Sequence, residues 1–337
     1  MDNPQNDPLD ALQAEIPLPG QYRIEERFED SVEIAGLSLH MAGLIAKRDD
    51  GNVVIGSAAG LDSQVIGRAY FELVERACAL IARERGEGRR ATDAAGQAVE
   101  ELAYARVFPP NPGPGLRTSV SNGVAIHTDP ARARTAALCE LLERDRVLRS
   151  WYGSWPPRVV DLPEGDPVAA LSDHYELCAY RFEPEGDEIA VAGVFGFPKT
   201  ETTPLICGLG AAPTETRALE KAMGESLQRL AFLWGEDIPS EPPGPEATPD
   251  FHQESYLYPA MFPVLRAWLN GEHGQNRAFP TLDLATVQFA DITPRSLADR
   301  VLATRAVAEG AFPLVFGPRQ TLPDGPIPEH QQVHPIA

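Results

Sequence analysis

Three stretches of the chain repeat one arrangement of apolar and charged positions. They are Ala69-Tyr70-Phe71-Glu72-Leu73-Val74-Glu75-Arg76, Ala137-Leu138-Cys139-Glu140-Leu141-Leu142-Glu143-Arg144 and Ala222-Met223-Gly224-Glu225-Ser226-Leu227-Gln228-Arg229. Residues three apart share a helix face, so each stretch predicts a helix presenting two side-chain oxygen ligands side by side. The first helix is expected over 63–85, stopped by Gly86. The second starts with Asp129 as N-cap and Pro130 at the first helical position, and runs to Trp151. The third opens at Pro213-Thr214-Glu215 and reaches Trp234.

Period-two alternation at Leu37, Leu39 and Met41, followed by Leu44-Ile45-Ala46, reads as strand within otherwise short, mixed segments over 24–48. Further strands are expected in 51–60, 119–126, 174–181, 189–197, 204–209, 286–291 and 312–316. Additional helices are expected over 92–107, 256–269 and 294–310, and a proline-rich loop over 108–115.

A glycine-bearing strand, a turn and a motif helix thus recur, with intervals too long for a solenoid. The expected architecture is α/β, with three strand–turn–helix units around one site. Residues 1–22 read as a flexible lead-in, 23–325 as one domain, 236–255 as an exposed Pro/Glu-rich loop and 326–337 as an extended tail.

Charge narrows the function. Acids outnumber bases 49 to 29, a formal charge of −20, which repels a phosphate backbone and argues against nucleic-acid binding. A nucleotide stays compatible, because a divalent cation can bridge carboxylate to phosphate. Cys78, Cys139, Cys178 and Cys207 form no CxxC pair and read as reduced, buried thiols. Neither a membrane-spanning apolar run nor a signal segment is visible, so a cytoplasmic protein without membrane partners is expected.

One Glu-x-x-Glu-Arg copy is ordinarily a solvated helix face with small ion-pair gains. Three copies, each behind a strand, point to a common site. Carboxylates at that density repel unless cations neutralise them, and hard oxygen donors suit Mg²⁺. Arg76, Arg144 and Arg229 would meet phosphate oxygens that the metal leaves uncovered. The residues therefore read as a Mg²⁺–nucleoside triphosphate site without a Walker loop. Ser57, in the turn 56–60, is a candidate phosphate donor, against the plainer reading of a strand–helix connection. His127 reads as a loop histidine.

These motifs resemble the YcaO family. The resemblance rests on Gly60 to Arg76, on Ser121-Asn122-Gly123 leading to Glu140-x-x-Glu143-Arg144, and on Gly208-x-Gly210 leading to Glu225-x-x-Gln228. Asp291-Ile292-Thr293, the Gly310 region, Phe316-Gly317 and the closing His334-Pro335 are similar to the family's last segment. The resemblance implies a YcaO-like fold around a central Mg–ATP pocket and ATP-dependent activation of a peptide backbone amide. Azoline-forming cyclodehydration of Cys, Ser or Thr is the first expectation. Thioamide or amidine formation, or a divergent non-catalytic peptide- or partner-binding role, are the alternatives.

By position, Glu72, Glu75, Glu140, Glu143 and Glu225 would hold Mg²⁺, and Arg144, Lys221, Asn122, Ser57, Arg76 and Gln228 would serve ATP. The chain departs from the family pattern at Thr128 and Arg132, where Asn and Glu are frequent, and at Lys221, where Arg is. Ala211 and Ala212 stand where His is frequent, and the end His334-Pro335-Ile336-Ala337 replaces PxPxP. The resemblance also implies a ribosomal precursor peptide as substrate. With so short a lead-in, a separate leader-binding partner of ubiquitin-activating-like type is expected to deliver it.

Overall fold

Each motif helix follows a strand and a short turn, as the pattern predicts. Strand Val53–Gly60 leads to helix Val65–Arg85, strand Val124–His127 to helix Pro130–Trp151, and strand Ile206–Ala212 to helix Glu215–Leu233. The computed structural model describes residues 7–184, 186–200, 203–238, 241–273, 277–280 and 282–336. They fall into two compact units. The first comprises Met1–Phe108, Gly123–Leu138 and Leu284–Ala308, the second Pro109–Asn122, Cys139–Asp283 and Glu309–Ala337.

The first unit carries an antiparallel three-stranded sheet, ordered Arg23–Ile34, Leu37–Lys47, Val53–Gly60. Its first two strands form one long hairpin, where the sequence reading expected short segments. Strand Arg23–Ile34 is an edge, exposed along most of its length and bearing Glu25, Glu26, Glu29, Asp30 and Glu33. Charges on an edge oppose pairing with another chain. The first motif helix buries Ala69, Tyr70, Leu73, Val74 and Ala77, and Leu39 and Leu44 of the sheet are buried too. It stops at Gly86, whose left-handed φ of 65° a side chain would oppose.

A five-stranded antiparallel sheet completes this unit, ordered Ala98–Leu102, Arg89–Thr92, Gln288–Asp291, Leu302–Val307, Val124–His127. Two expected helices are corrected here. Over 92–107 the chain instead makes a hairpin turning at Asp93 to Gln97, with Gly96 at φ 82°, before the short helix Tyr104–Val107. Over 294–310 it makes a turn of 3-10 helix, Arg295–Leu297, and then strand Leu302–Val307. That strand pairs on both sides and is buried over most of its length, so tertiary pairing overrides helical propensity.

The expected flexible lead-in contains helix Pro8–Glu15, which Asp7 caps by accepting the N–H of Leu9. Residues 1–6 lie outside the described residues.

The second unit centres on a four-stranded antiparallel sheet, ordered Ile206–Ala212, Ala190–Pro198, Tyr175–Arg181, Arg158–Val160. The third motif helix starts at Thr214, which caps Arg217, and packs across this sheet. The core gathers Trp151, Tyr152, Phe182, Phe195, Tyr256 and Trp268, all nearly inaccessible. Each such side chain contributes about 1.5–3 kcal/mol on leaving water.

Within the expected loop 236–255, helix Pro249–Ser255 forms behind its Thr248 cap, while 239–240 lie outside the described residues. The helix expected over 256–269 is confined to Phe262–Leu269, after a 3-10 turn at Pro259–Met261. Pairing in 312–316 is limited to Val315–Phe316. The tail holds a small hairpin and the 3-10 turn Glu329–Gln331, and Ile336 is buried; Ala337 lies outside the described residues. Among the described residues no helix is long and apolar enough to cross a membrane.

Candidate functional site

In the first unit, strand Val53–Gly60 is the edge nearest its motif helix, so alternate backbone groups point away from the sheet. Glu72 fills one of them: its Oε2 accepts the N–H of Ser57 at 2.7 Å. Arg76 fills another, donating from Nη1 to the carbonyl of Ile55 at 2.9 Å. Arg76 also pairs with Glu72 Oε1 at 2.6 Å. Arg76, expected to reach phosphate, is thus engaged with Glu72 and its own sheet edge. Glu75 is half-buried one helical step on.

The second unit repeats the device. Strand Ile206–Ala212 is again an edge, Leu209 donates its N–H to Glu225 Oε2 at 2.9 Å, and Lys221 Nζ donates to the carbonyl of Ala211 at 2.9 Å. The first and third motif helices therefore each stitch themselves to an edge strand with one acid and one base.

Around Glu225 the second unit gathers its other candidates. Glu143 is buried, and its Oε1 lies 3.0 Å from Arg144 Nη1. Burial would lower the Arg144 pKa, but the charges of Glu143, Glu225 and Glu140 together more than offset it, and the net direction is up. Glu225 moves the opposite way from an ordinary carboxylate: enclosure by protein and repulsion from Glu143 push it up to about 7, against Arg144, the Leu209 N–H and Lys221. Its side chain is nevertheless exposed, so water reaches a carboxylate that protein surrounds. A pair of acids in that state takes up a proton or a cation.

The structure thus brings Glu140, Glu143, Arg144, Lys221 and Glu225 into one electrostatic neighbourhood, and Ser57, Glu72 and Arg76 into another. Gln228 is half-buried on the third motif helix. Arg229 is engaged with Cys207 Sγ and the Gln253 carbonyl. Asn122 is buried, and its Oδ1 finds no hydrogen-bond donor among the described residues.

Sequence reasoning did not find the Ser57 and Leu209 amides, because backbone donors leave no side-chain signature. The neighbouring Gly56 and Gly208 are the signal available for them. Nor did it single out Asp145, next to the motif arginine. This fully buried carboxylate accepts from Arg146, Arg149 and the N–H of Phe312, fixing the helix beyond the site.

The family model described as YcaO cyclodehydratase, ATP- and Mg²⁺-binding, matches residues 97–303. The chain belongs to the YcaO family. Solved structures agree at the level of fold. The YcaO of Methanopyrus kandleri bound with AMPPCP and Mg²⁺ aligns with a TM-score of 0.57 at 18% identity, covering 86% of each chain. A chain of the E. coli microcin synthetase McbBCD complex with pro-MccB17 bound gives 0.60 at 12% identity, covering 94% of this chain and 96% of that one. A heterocyclase in complex with substrate and cofactor gives 0.60 at 15% identity, covering 96% of this chain but 55% of that one. Comparison with curated proteins returns no match.

ATP and Mg²⁺ are accordingly the cofactors of this YcaO chain. Among the described residues no group of three or more His, Cys, Asp or Glu side chains is placed to hold a metal ion. Mg²⁺ carried by a nucleotide takes one or two carboxylates and completes its shell with phosphate oxygens and water. The Glu143–Glu225 neighbourhood fits that demand: hard oxygen donors, mutual repulsion for a cation to relieve, and guanidinium charge alongside. Cys139, the nearby soft ligand, has its thiol pKa raised by burial and stays protonated.

Proposed function

We propose that this YcaO protein activates backbone amides of a ribosomally made peptide at the expense of ATP, closing Cys, Ser or Thr side chains into azolines. The observation that carries the reading is the gathering of Glu143, Arg144 and Glu225 in a chain that the ATP- and Mg²⁺-binding YcaO model matches. When bound, ATP supplies the phosphoryl group that makes an amide oxygen a leaving group, and Mg²⁺ neutralises the triphosphate.

The chain's own residues position and balance charge. In the second unit Glu140, Glu143 and Glu225 serve as metal carboxylates; in the first unit Glu72 and Glu75 are the candidates for that role. In the second unit Arg144 meets phosphate oxygens, with Lys221, Asn122 and Gln228 in support; in the first unit Ser57 and Arg76 are the nucleotide candidates, Arg76 by exchanging its Glu72 pairing for phosphate. Lys221 keeps positive charge without the bidentate fork of arginine. A precursor peptide is the substrate, delivered by a separate leader-binding protein. The E. coli McbBCD complex with pro-MccB17 bound is consistent with that kind of partnership.

Incubation with ATP, Mg²⁺, the peptide encoded beside it and the partner should release phosphate and lower the peptide mass by water. Glu140→Gln should abolish turnover with the fold retained; a fully active variant would sink the assignment. Arg132 favours a second reading, a non-catalytic peptide-binding role. It is exposed and faces Asp129 at 3.8 Å, at a position where the family often carries a carboxylate. Calorimetry with Mg–ATP separates the two readings, since only the enzyme requires nucleotide binding.

A further inference from the structure

Two glycines sit where the edge strands meet their motif helices. A methyl group at Gly208 would overlap the carbonyl oxygen of Ala222 and the amide of Ser226. One at Gly56 would overlap the carbonyl oxygen of Ala69 and the amide of Leu73. In both units the obstacle is helix backbone, which has no rotamer to escape into. Both obstacles bracket the motif glutamate: Ala69 and Leu73 flank Glu72, and Ala222 and Ser226 flank Glu225. The residue after each glycine, Ser57 or Leu209, is the one whose N–H the glutamate accepts.

We propose that Gly208 and Gly56 are positioning residues for nucleotide-bound metal. Each brings its strand against the helix backbone, so that one carboxylate oxygen is clamped by an amide; the other is held toward the ligand in Glu225 and shared with Arg76 in Glu72. A longer approach would leave a free-swinging glutamate and an unfilled edge amide. The inference rests on the reading of Glu72 and Glu225 as metal carboxylates, and adds what fixes them.

Gly208→Ala tests it, with Gly196→Ala as control. Gly196 lies in the same sheet, where the three atoms nearest to an added methyl belong to the side chains of Ile206 and Tyr175 rather than to backbone. Calorimetric titration with Mg–AMPPCP should show binding at least tenfold weaker in Gly208→Ala and within threefold of the parent in Gly196→Ala. Equal weakening by both variants, or by neither, overturns the proposal.

Should Gly208→Ala fail to fold, hydrogen exchange across 206–212 decides. The Leu209 amide should stay protected in Glu225→Gln, whose amide oxygen still accepts, and exchange at least tenfold faster in Glu225→Ala. The same rate in both variants overturns the clamp. A parent chain that binds no Mg–AMPPCP overturns the nucleotide reading instead, and the exchange comparison still judges the clamp.

Discussion

His252 and His334 lie with ring centroids 4.1 Å apart, both buried and both neutral by their partners. His252 Nδ1 faces the carbonyl of His334 at 2.8 Å, and its Nε2 accepts the N–H of Gly317 at 2.9 Å. His334 Nε2 faces the carbonyl of Val315 at 2.9 Å, while its Nδ1 accepts the N–H of Ile336 at 3.3 Å. Each ring therefore has one nitrogen occupied as acceptor, and a second proton would point N–H at N–H.

Burial lowers the His252 pKa to about 4 and takes His334 well below its ordinary value, with the His252 charge adding to it. A histidine depressed in the folded state gives its full stability above the unfolded pKa of about 6.5 and loses it as pH falls toward the folded value. The expected cost is about 3 kcal/mol for His252 across that window. Chemical denaturation from pH 7 to pH 4.5 should show stability falling with proton uptake. A flat profile would remove the histidine pair as the cause.

Glu225 acts with the opposite sign. Its folded pKa is raised to about 7, so its ionisation destabilises the ligand-free fold as pH rises from about 4.5 to that value. Glu225→Gln should therefore be more stable than the parent at about pH 8 and match it at about pH 4, below the unfolded pKa. Allowing for solvent screening of an exposed side chain, the gain is about 1 kcal/mol. Mg–ATP should raise the parent's melting temperature and leave the variant's unchanged, as differential scanning fluorimetry can show.

Asp145 is a purely architectural anchor. It accepts from Arg146 at 2.8 Å, Arg149 at 2.8 Å and the Phe312 amide at 2.7 Å, with no surface exposed. Removing it leaves two arginines buried with less compensation, a loss of about 3–5 kcal/mol. Asp145→Ala should lower the melting temperature by on the order of 10 °C. Unaltered melting would show that Asp187, 2.7 Å from Arg146, suffices.

Arg144→Lys keeps charge but loses the planar fork. We expect kcat/KM for ATP to fall about 10- to 100-fold, equivalent to about 1.4–2.7 kcal/mol, with melting little changed. Steady-state kinetics at saturating peptide measures it. Unchanged kinetics would exclude a bidentate role.

The helix starts were legible because their chemistry is local: Asp129 with Pro130, and Thr214, cap where the residues say they should. The Glu repeat was legible for the same reason. What escaped was set by distant partners. Strand Leu302–Val307 is covered on both sides and shows no alternation to read. The His252 ring meets a carbonyl 82 residues away. The amides of Ser57 and Leu209 become donors because topology leaves their strands at sheet edges, which no local pattern announces.

The acid-rich strand Arg23–Ile34 has a consequence for handling the purified protein. Its carboxylates are a brake on self-zipping, and the brake depends on their being ionised and unscreened. Acidic buffers or high salt release it, and concentrated stocks will then thicken into sheet-joined aggregates. Dilute, mildly alkaline, low-salt storage keeps the molecules apart.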